Sequence, residues 1–208
     1  MNHKIYLTPK NNLKIGVLAL QGAFAEHINH LKKLNIEAIE VRTLSDLNQL
    51  DGIILPGGES TAQRNLLIKT GIFQPLQQLI KQGLPVLATC AGMILLAQHL
   101  ENDHINSTFK NSLATIPITV CRNAFGRQLG SFYTLGNYKD LGLVPFTFIR
   151  APYVSEYGEG VEVLSIVKDK IVAVQFKNQI CLAFHPELND NLSIHQDFIH
   201  LVFQHKNT

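Results

Sequence analysis

A cysteine of this chain stands where enzymes often place a nucleophile, on a turn between two apolar segments. Cys90 follows the run 84–88 and precedes the apolar residues 93–97. The first segment predicts a short buried strand and the second predicts the apolar side of a helix, so Cys90 falls on the turn between them. A thiol at a helix N-terminus faces unpaired N–H groups and the positive end of the helix dipole, which favour the thiolate. Cys90 is therefore a candidate nucleophile.

A histidine and a glutamate further along the chain are suited to activate such a thiol. His185 and Glu187 flank Pro186, directly after the apolar run 180–184. The residue before a proline is held extended, and side chains two apart in extended chain share one side. A carboxylate beside an imidazole orients the ring and stabilises the imidazolium, as in a nucleophile-base-acid triad. We expect both residues to act with Cys90, and a surface His-Pro-Glu turn is the alternative interpretation.

A pair of glycines after another apolar run could stabilise an oxyanion. Residues 56–60, Pro-Gly-Gly-Glu-Ser, follow the predicted buried strand 52–55. Consecutive glycines let the backbone turn sharply and present bare N–H groups. Together with the N–H of Ala91, the residue after the candidate nucleophile, such groups could form an oxyanion hole. An ordinary turn and a phosphate cradle are the alternatives, and the cradle is disfavoured because no Gly-Lys-Ser/Thr follows.

Two arginines and two further cysteines stand beside or within predicted strands. Arg122 and Arg150 lie at strand ends, where a guanidinium could hold a carboxylate, although surface salt bridges are the alternative. Cys121 and Cys181 lie inside strand-like runs without a turn or helix start, so we expect both to be structural.

The composition indicates one globular domain that acts on a small substrate. The chain has 208 residues, of which 46% are hydrophobic and 16% charged. The net charge of +2 is spread along the chain, which argues against nucleic-acid or anionic-membrane binding. Three cysteines without a C-x-x-C pair argue against a disulfide framework or a metal site and favour the cytoplasm. No apolar stretch is long enough for a signal peptide or a membrane span.

Strands and helices are predicted to alternate in the first half of the chain. The predicted strands are 15–20, 36–41, 52–55 and 84–88, and the predicted helices between them are 23–34, 59–69 and 73–82. The first helix carries an apolar stripe made of Phe24, His27, Ile28 and Leu31. This alternation predicts an α/β fold with a mostly parallel, doubly wound central sheet, helices on both faces, and ligands at the carboxyl ends of the strands.

The second half is predicted to add closely spaced strands, some of them antiparallel, before a final amphipathic helix. The predicted strands are 116–120, 146–149, 161–167, 171–176 and 180–184, and the final helix is near 194–203.

Six segments, in one order along the chain, resemble the glutaminase subunit of pyridoxal 5′-phosphate synthase, a class I (triad) glutamine amidotransferase. They are GVLALQGA (16–23), ILPGGEST (54–61), ATCAG (88–92), RNAFGRQ (122–128), FIRAP (148–152) and AFHPEL (183–188). The resemblance implies a single-domain class I glutamine amidotransferase fold over residues 14–205, preceded by an N-terminal extension, residues 1–13.

The resemblance also implies a role for each site residue. Cys90 would be the nucleophile, His185 the general base and acid, and Glu187 its orienting carboxylate. The oxyanion hole would be formed by Gly58 and Ala91. The residues around bound L-glutamine would be Gly58, Glu59, Ser60, Arg122, Ile149 and Arg150. No cofactor or metal is implied, and ammonia would pass to a partner synthase subunit, a (βα)8 barrel that builds the vitamin B6 cofactor.

Two other functions stay open at this point. The chain could be the glutaminase of another synthase, such as imidazole glycerol phosphate synthase, although segments 122–128 and 148–152 favour the vitamin B6 branch. It could also be a non-catalytic thiol sensor on the same fold, which would need neither His185 nor Glu187.

Three features depart from the family pattern or lie beside it. Ala88 stands where the family usually has glycine, and the polar stretch 101–110 replaces a Leu-Gly-containing segment. Gln21, beside the glycine of the first turn, is a candidate for sensing the docked synthase.

Overall fold

The first half of the chain folds as the predicted alternation of strands and helices. The computed structural model describes residues 13–101, 112–122 and 130–207. The elements of this half are β1 (Lys14–Leu18), α1 (Phe24–Lys33), β2 (Glu37–Val41), a 3-10 helix (Leu44–Leu47), β3 (Gly52–Leu55), α2 (Ser60–Lys69), α3 (Phe73–Lys81), β4 (Val86–Thr89) and α4 (Ala91–Leu96).

The second half contains mostly strands and ends in the longest helix of the described chain. Its elements are β5 (Ala97–Leu100), β6 (Ile116–Cys121), β7 (Ser131–Tyr138), β8 (Gly142–Ile149), β9 (Tyr153–Tyr157), β10 (Val161–Val167), β11 (Lys170–Phe176), β12 (Gln179–Leu182), a 3-10 helix (Pro186–Leu188) and α5 (Ser193–Lys206).

Ten of these strands form one sheet with a parallel part and a mixed part. Its order is β2-β1-β3-β4-β12-β11-β9-β6-β5, with β10 paired to β11. The strands from β2 to β12 run parallel, whereas β11 is antiparallel to β12, β9 and β10. The prediction of a mostly parallel α/β sheet with extra antiparallel strands in the C-terminal half is confirmed.

The strands at the centre of the parallel part are buried on both faces, which explains their continuous apolar sequences. Every residue of β3, β4 and β12 is buried. Ala88, at the position where glycine is usual in the resembled family, is fully buried in β4 between Leu55 of β3 and Cys181 of β12. Its methyl group therefore contributes to the core of the sheet.

A separate two-stranded sheet, β7–β8, packs beside the end of β12. Phe146 of β8 stacks on Phe184 with ring centroids 3.9 Å apart. A Cβ at Gly136 would lie only 2.0 Å from the Phe146 ring, so this position in β7 needs glycine. This hairpin places the end of β8 next to the segment that carries His185.

Three strands were not predicted from the sequence, namely β5, β7 and β9. The apolar run 93–97 predicts helix throughout, but the helix ends at Leu96 and Ala97 begins β5 in parallel pairing with β6. The strand β7 alternates exposed and half-buried residues as far as Leu135, and so lacks the apolar run by which the other strands are recognised.

Some predictions fall on residues outside those described. These are residues 1–12 of the predicted extension, most of the polar stretch 101–110, and residues 123–128 of the fourth resembling segment. Leu13, the first described residue, is buried in the core. Within the described residues, none of the helices has the length and apolar character needed to span a membrane.

Candidate active site

The candidate nucleophile lies on a strained turn between β4 and α4. Cys90 has φ 46° and ψ −98°, a conformation that non-glycine residues rarely adopt and that is concentrated at functional sites. Its N–H donates to the carbonyl of Leu182 at 2.7 Å, which ties the turn to β12. A Cβ at Gly92 would lie 2.3 Å from the Leu55 carbonyl oxygen, so only glycine lets α4 start so close to β3. The strand-turn-helix setting predicted for Cys90 is confirmed.

His185 and Glu187 lie side by side directly after β12. The Nδ1 of His185 is 2.7 Å from Oε1 of Glu187, and both side chains are buried. The backbone N–H of His185 donates to the carbonyl of Thr147 in β8 at 2.8 Å. The sequence predicts extended chain from His185 to Glu187, but only His185 is extended, because Pro186–Leu188 form a 3-10 turn. The contact predicted from extended chain therefore forms by a different local geometry.

The environment of His185 favours its protonated ring. Burial by itself lowers the pKa of His185, but hydrogen bonds with Cys90 and Glu187 and the charges of these two groups outweigh it and raise the pKa to about 10. The ring is therefore positively charged at neutral pH. It lies beside the sulfur of Cys90, with which it would form an ion pair once the thiol has lost its proton.

The glycine pair after β3 contacts His185 and is hydrogen-bonded to the turn after β1. A Cβ at Gly57 would lie 2.2 Å from Cε1 of His185, so the imidazole occupies the space of a missing side chain. The Gly57 carbonyl accepts from the N–H of Ala23, after β1, at 3.0 Å. In a trans peptide the N–H points opposite to the carbonyl. The N–H of Gly58 therefore points away from Ala23.

Ala91 and Ser60 each begin a helix beside this turn. Ala91 is the first residue of α4, where backbone N–H groups have no partner inside the helix. Ser60 is the first residue of α2 and is buried.

The carboxylate of Glu59 caps α2 instead of facing free space. It accepts from the N–H groups of Thr61 at 2.9 Å and Ala62 at 2.6 Å. Partial burial raises the pKa of Glu59, but these hydrogen bonds and the charge of Arg122 outweigh it and lower the pKa. The N–H of Glu59 donates to Oε1 of Gln21 at 2.9 Å. Both polar ends of Glu59 thus have partners within the protein.

The other residues expected around glutamine lie at the ends of β6 and β8. The carbonyl of Ile149 is 3.9 Å from Sγ of Cys90, which places the end of β8 against the candidate nucleophile. Arg150 is exposed, has φ 44°, and its N–H donates to the carbonyl of Gly130. Arg122 is exposed, and its charge acts on Glu59. The fold therefore brings these three residues to the side of the sheet that holds Cys90.

One residue beside the candidate triad was not recognised from the sequence. His27 of α1 is fully buried, and its Nε2 lies 3.4 Å from Oε2 of Glu187. The available signal was a histidine within the otherwise apolar stripe of the predicted helix 23–34.

The remaining cysteines have a different environment from Cys90. Cys181 is fully buried in β12, and burial raises its thiol pKa. Partial burial and the neighbouring Glu101 raise the pKa of Cys121. All three cysteines are free. The described ranges hold no group of three or more His, Cys, Asp or Glu side chains arranged to bind a metal ion.

Several known proteins resemble this chain along most of its length. The pyridoxal 5′-phosphate synthase subunit PdxT of Desulfitobacterium hafniense (strain Y51) is 55% identical over 188 residues, which cover 90% of this chain and 92% of that protein. The subunit of the same name from Streptococcus pneumoniae (strain D39) is 50% identical over 91% of this chain and 97% of its own length.

Two solved structures of glutamine amidotransferases are similar in fold to this chain. The crystal structure of a glutamine amidotransferase has a TM-score of 0.85 and 40% identity, and covers 91% of this chain and 98% of its own. A glutamine amidotransferase from Thermotoga maritima, with a TM-score of 0.59 and 12% identity over 85% of this chain and 77% of its own, shares the fold. The pattern of the SNO glutamine amidotransferase family matches residues 17–204. The chain belongs to the SNO glutamine amidotransferase family.

Proposed function

We propose that the chain is the glutaminase subunit of a pyridoxal 5′-phosphate synthase, hydrolysing L-glutamine to L-glutamate and ammonia. The observation that carries the proposal is the convergence of three side chains from separate segments, with Cys90 on its strained turn, His185 hydrogen-bonded to Cys90, and Glu187 2.7 Å from the other ring nitrogen. The relatives that share the PdxT name support the pathway.

Acylation follows from the roles of the three residues. The Cys90 thiolate attacks the side-chain amide carbon of glutamine, and the negative charge moves to the amide oxygen. The N–H groups of Gly58 and Ala91 stabilise this oxyanion. His185 donates its proton to the amide nitrogen as the carbon–nitrogen bond breaks, so that ammonia leaves and a thioester to Cys90 forms.

Deacylation regenerates the enzyme. Neutral His185 takes a proton from water while the oxygen attacks the thioester carbon. Collapse of the second oxyanion expels the Cys90 thiolate and releases glutamate, and His185 is again protonated. Glu187 keeps Nδ1–H of the ring directed at its carboxylate, so that Nε2 faces the sulfur in both steps.

The glutamine site is proposed to lie between the turn after β3 and the ends of β6 and β8. Its residues are Gly58, Glu59, Ser60, Arg122, Ile149 and Arg150. The guanidinium groups would hold the α-carboxylate of glutamine. Glu59 contributes as the cap that fixes the start of α2, because its carboxylate is already bonded to the Thr61 and Ala62 N–H groups.

Ammonia is proposed to pass to a (βα)8-barrel synthase subunit in a hetero-oligomeric complex. The cytoplasm stays the expected location, predicted from the three cysteines without a disulfide pattern.

Ammonia release from glutamine tests the proposal directly. The chain would be assayed alone and with a pyridoxal 5′-phosphate synthase subunit, beside Cys90→Ala and the matched control Cys121→Ala. We expect turnover that rises with the synthase, disappears in Cys90→Ala and persists in Cys121→Ala. Stimulation by a different synthase only would assign another pathway, and a reactive Cys90 without any turnover would favour a thiol sensor.

A further inference from the structure

Behind the candidate triad, three histidines form a buried chain that the proposed mechanism does not use. His27 and His30 lie on α1, and His195 lies on α5. The Nδ1 of His27 is 2.9 Å from Nε2 of His195, and Nδ1 of His195 is 3.2 Å from Nδ1 of His30. All three side chains are buried. The chain of rings ends at Glu187.

The carboxylate of Glu187 has one oxygen committed to the triad and one facing His27. Oε1 is 2.7 Å from Nδ1 of His185. Oε2 is buried and makes no aligned hydrogen bond to a residue within the described ranges. The Nε2 of His27 is 3.4 Å from Oε2 and 3.3 Å from Oγ1 of Thr89. Both distances are within hydrogen-bonding range, but only the contact with Thr89 is aligned as a bond, so the ring of His27 or the carboxylate of Glu187 must turn before Nε2–H can bond to Oε2.

His27 meets this carboxylate as a neutral ring. Burial, together with the neighbouring His195, His185 and His30, lowers the pKa of His27 well below its usual value. A neutral imidazole has one N–H and one lone pair. With the proton on Nδ1, the lone pair of Nε2 accepts from the Thr89 hydroxyl but also faces a buried carboxylate oxygen, which is repulsive. With the proton on Nε2, His27 donates to Glu187.

The other two histidines can pair in the second arrangement. If Nε2 of His27 carries the proton, its Nδ1 accepts from Nε2–H of His195. The Nδ1 of His195 then accepts from Nδ1–H of His30. Each close nitrogen pair then has one donor and one acceptor. Reversing every donor satisfies the same pairs and suits the hydrogen bond between His30 and the Asn189 backbone, so only the negative charge of Glu187 favours the direction that ends at its carboxylate.

We propose that His27 is a positioning residue for the triad, whose Nε2–H holds the second oxygen of Glu187 while His195 and His30 keep His27 in that tautomer. With both oxygens held, the carboxylate cannot rotate away from Nδ1 of His185. Because positions in a catalytic group must be kept within fractions of an ångström, this second contact supports the first. The proposal rests on the proposed glutaminase function for its kinetic consequences only.

The tautomers can be measured without any enzymatic assay. Nitrogen-15 NMR of the wild-type protein, labelled at histidine and assigned with single His→Gln variants, distinguishes protonated from unprotonated ring nitrogens. We expect Nε2–H tautomers for His27 and His195 and an Nδ1–H tautomer for His30. An Nδ1–H tautomer for His27 overturns the proposal, whether or not the protein hydrolyses glutamine.

Two substitutions at one position give the kinetic test, performed on the chain in complex with its synthase subunit. His27→Gln places an amide where Nε2 was and can still reach Glu187, whereas His27→Asn reaches only as far as Nδ1. Losing an outer partner of a functional histidine in metal sites costs about 10–100-fold. We expect kcat of His27→Asn to fall at least about 10-fold at nearly unchanged KM, with the alkaline limb of its pH profile at lower pH, and His27→Gln to recover most of both.

A buried apolar variant separates this effect from lost stability. Leu76→Ala, in α3, removes a fully buried side chain and should lower stability while keeping kcat and the pH profile. If His27→Asn behaves like Leu76→Ala, or like His27→Gln, the positioning role is wrong. If the wild-type complex itself releases no ammonia, the proposed function fails. The measured tautomers of His27, His195 and His30 still decide whether His27 donates to Glu187.

Discussion

The backbone N–H of Cys90 donates to the carbonyl of Leu182 at 2.7 Å, which joins the end of β4 to the end of β12. These strands are parallel neighbours, with Thr89 opposite Leu182. Cys90 and His185 therefore leave adjacent strands at one edge of the sheet, although 95 positions of sequence separate them. Their contact is a consequence of strand order and register, and the first three predictions below depend on it.

Cys90 should be alkylated selectively. It lies at a helix N-terminus beside the protonated His185, whereas Cys181 is fully buried and burial raises the pKa of its thiol. Limited treatment with iodoacetamide followed by peptide mass spectrometry should modify Cys90 well before Cys181. Equal labelling of the two in the folded protein would contradict the assigned environments, and Glu187→Gln should slow labelling at Cys90 alone.

Gly57→Ala should abolish most activity with little unfolding. The added Cβ would lie 2.2 Å from Cε1 of His185, so the ring must move, and a displacement of about 1 Å can cost about 100-fold in rate. The matched control is Gly71→Ala, where φ is +74° and no atom lies within 4 Å of the new Cβ. This control should lose about 1–2 kcal/mol of stability through backbone strain and keep its kcat. Equal kcat in both variants would argue against close packing of His185 on Gly57.

Glu187→Gln should lower kcat and move the alkaline limb of the activity profile to lower pH. The pKa of His185 is raised to about 10, partly by Glu187, so the ring stays protonated up to that pH. A histidine with a raised pKa stabilises the fold fully below about pH 6.5 and loses that contribution as pH rises through the folded pKa. Removing the charge lowers this pKa, and loss of the orienting carboxylate costs about 10⁴-fold in a comparable triad.

Rates of ammonia release and urea unfolding, each measured between pH 6 and 10.5, check this prediction. An alkaline limb that stays at the wild-type pH in Glu187→Gln would show that another group controls it.

The fold should lose stability in acid through its buried histidines. Burial and the neighbouring His30 lower the pKa of His195 to about 3, and the pKa of His27 is also lowered. Below about pH 6.5 the unfolded chain binds protons that these rings cannot bind in the folded state, so stability falls as pH falls. His195 by itself should cost about 2 kcal/mol between pH 7 and pH 5, and His27 acts in the same direction.

Urea unfolding at pH 7 and pH 5 measures this loss. The difference between the two pH values should shrink in His195→Leu and stay the same when the exposed His99 is replaced by Gln. An unchanged difference in His195→Leu would mean that His195 does not enter the folded state as a neutral ring.

Gln21→Ala should reduce stimulation by the synthase more than it reduces basal turnover. The side chain of Gln21 accepts from the N–H of Glu59, next to Gly58 of the proposed oxyanion hole, and Gln21 itself lies in the first turn of the fold beside the exposed Gly22. Docking of the synthase at this turn would therefore change the geometry of the proposed oxyanion hole through the side chain of Gln21. Glutamine hydrolysis with and without the synthase subunit is the measurement, and an unchanged ratio of the two rates would refute this role.

The sequence by itself determined the local settings of the reactive residues. The apolar run before Cys90 and the small residues around it predict a strand-turn-helix, because a nucleophile turn leaves no space for larger side chains, as Gly92 against Leu55 shows. The continuous apolar runs predict buried parallel strands, because a strand that is covered on both faces needs apolar side chains on both faces. The six resembling segments identified the family.

Only the tertiary structure decided which distant residues meet. Strand order places β12 beside β4 and so brings His185 to Cys90, a pairing that no local pattern encodes. The strand β7 was not predicted because its outer face meets solvent and its register depends on β8. The contact between His27 and Glu187 could not be predicted, because a helical pattern shows which face of a helix is buried but not which residues that face packs against. Packing of α1 against the turn after β12 supplies that information, and it places an imidazole against the second oxygen of Glu187.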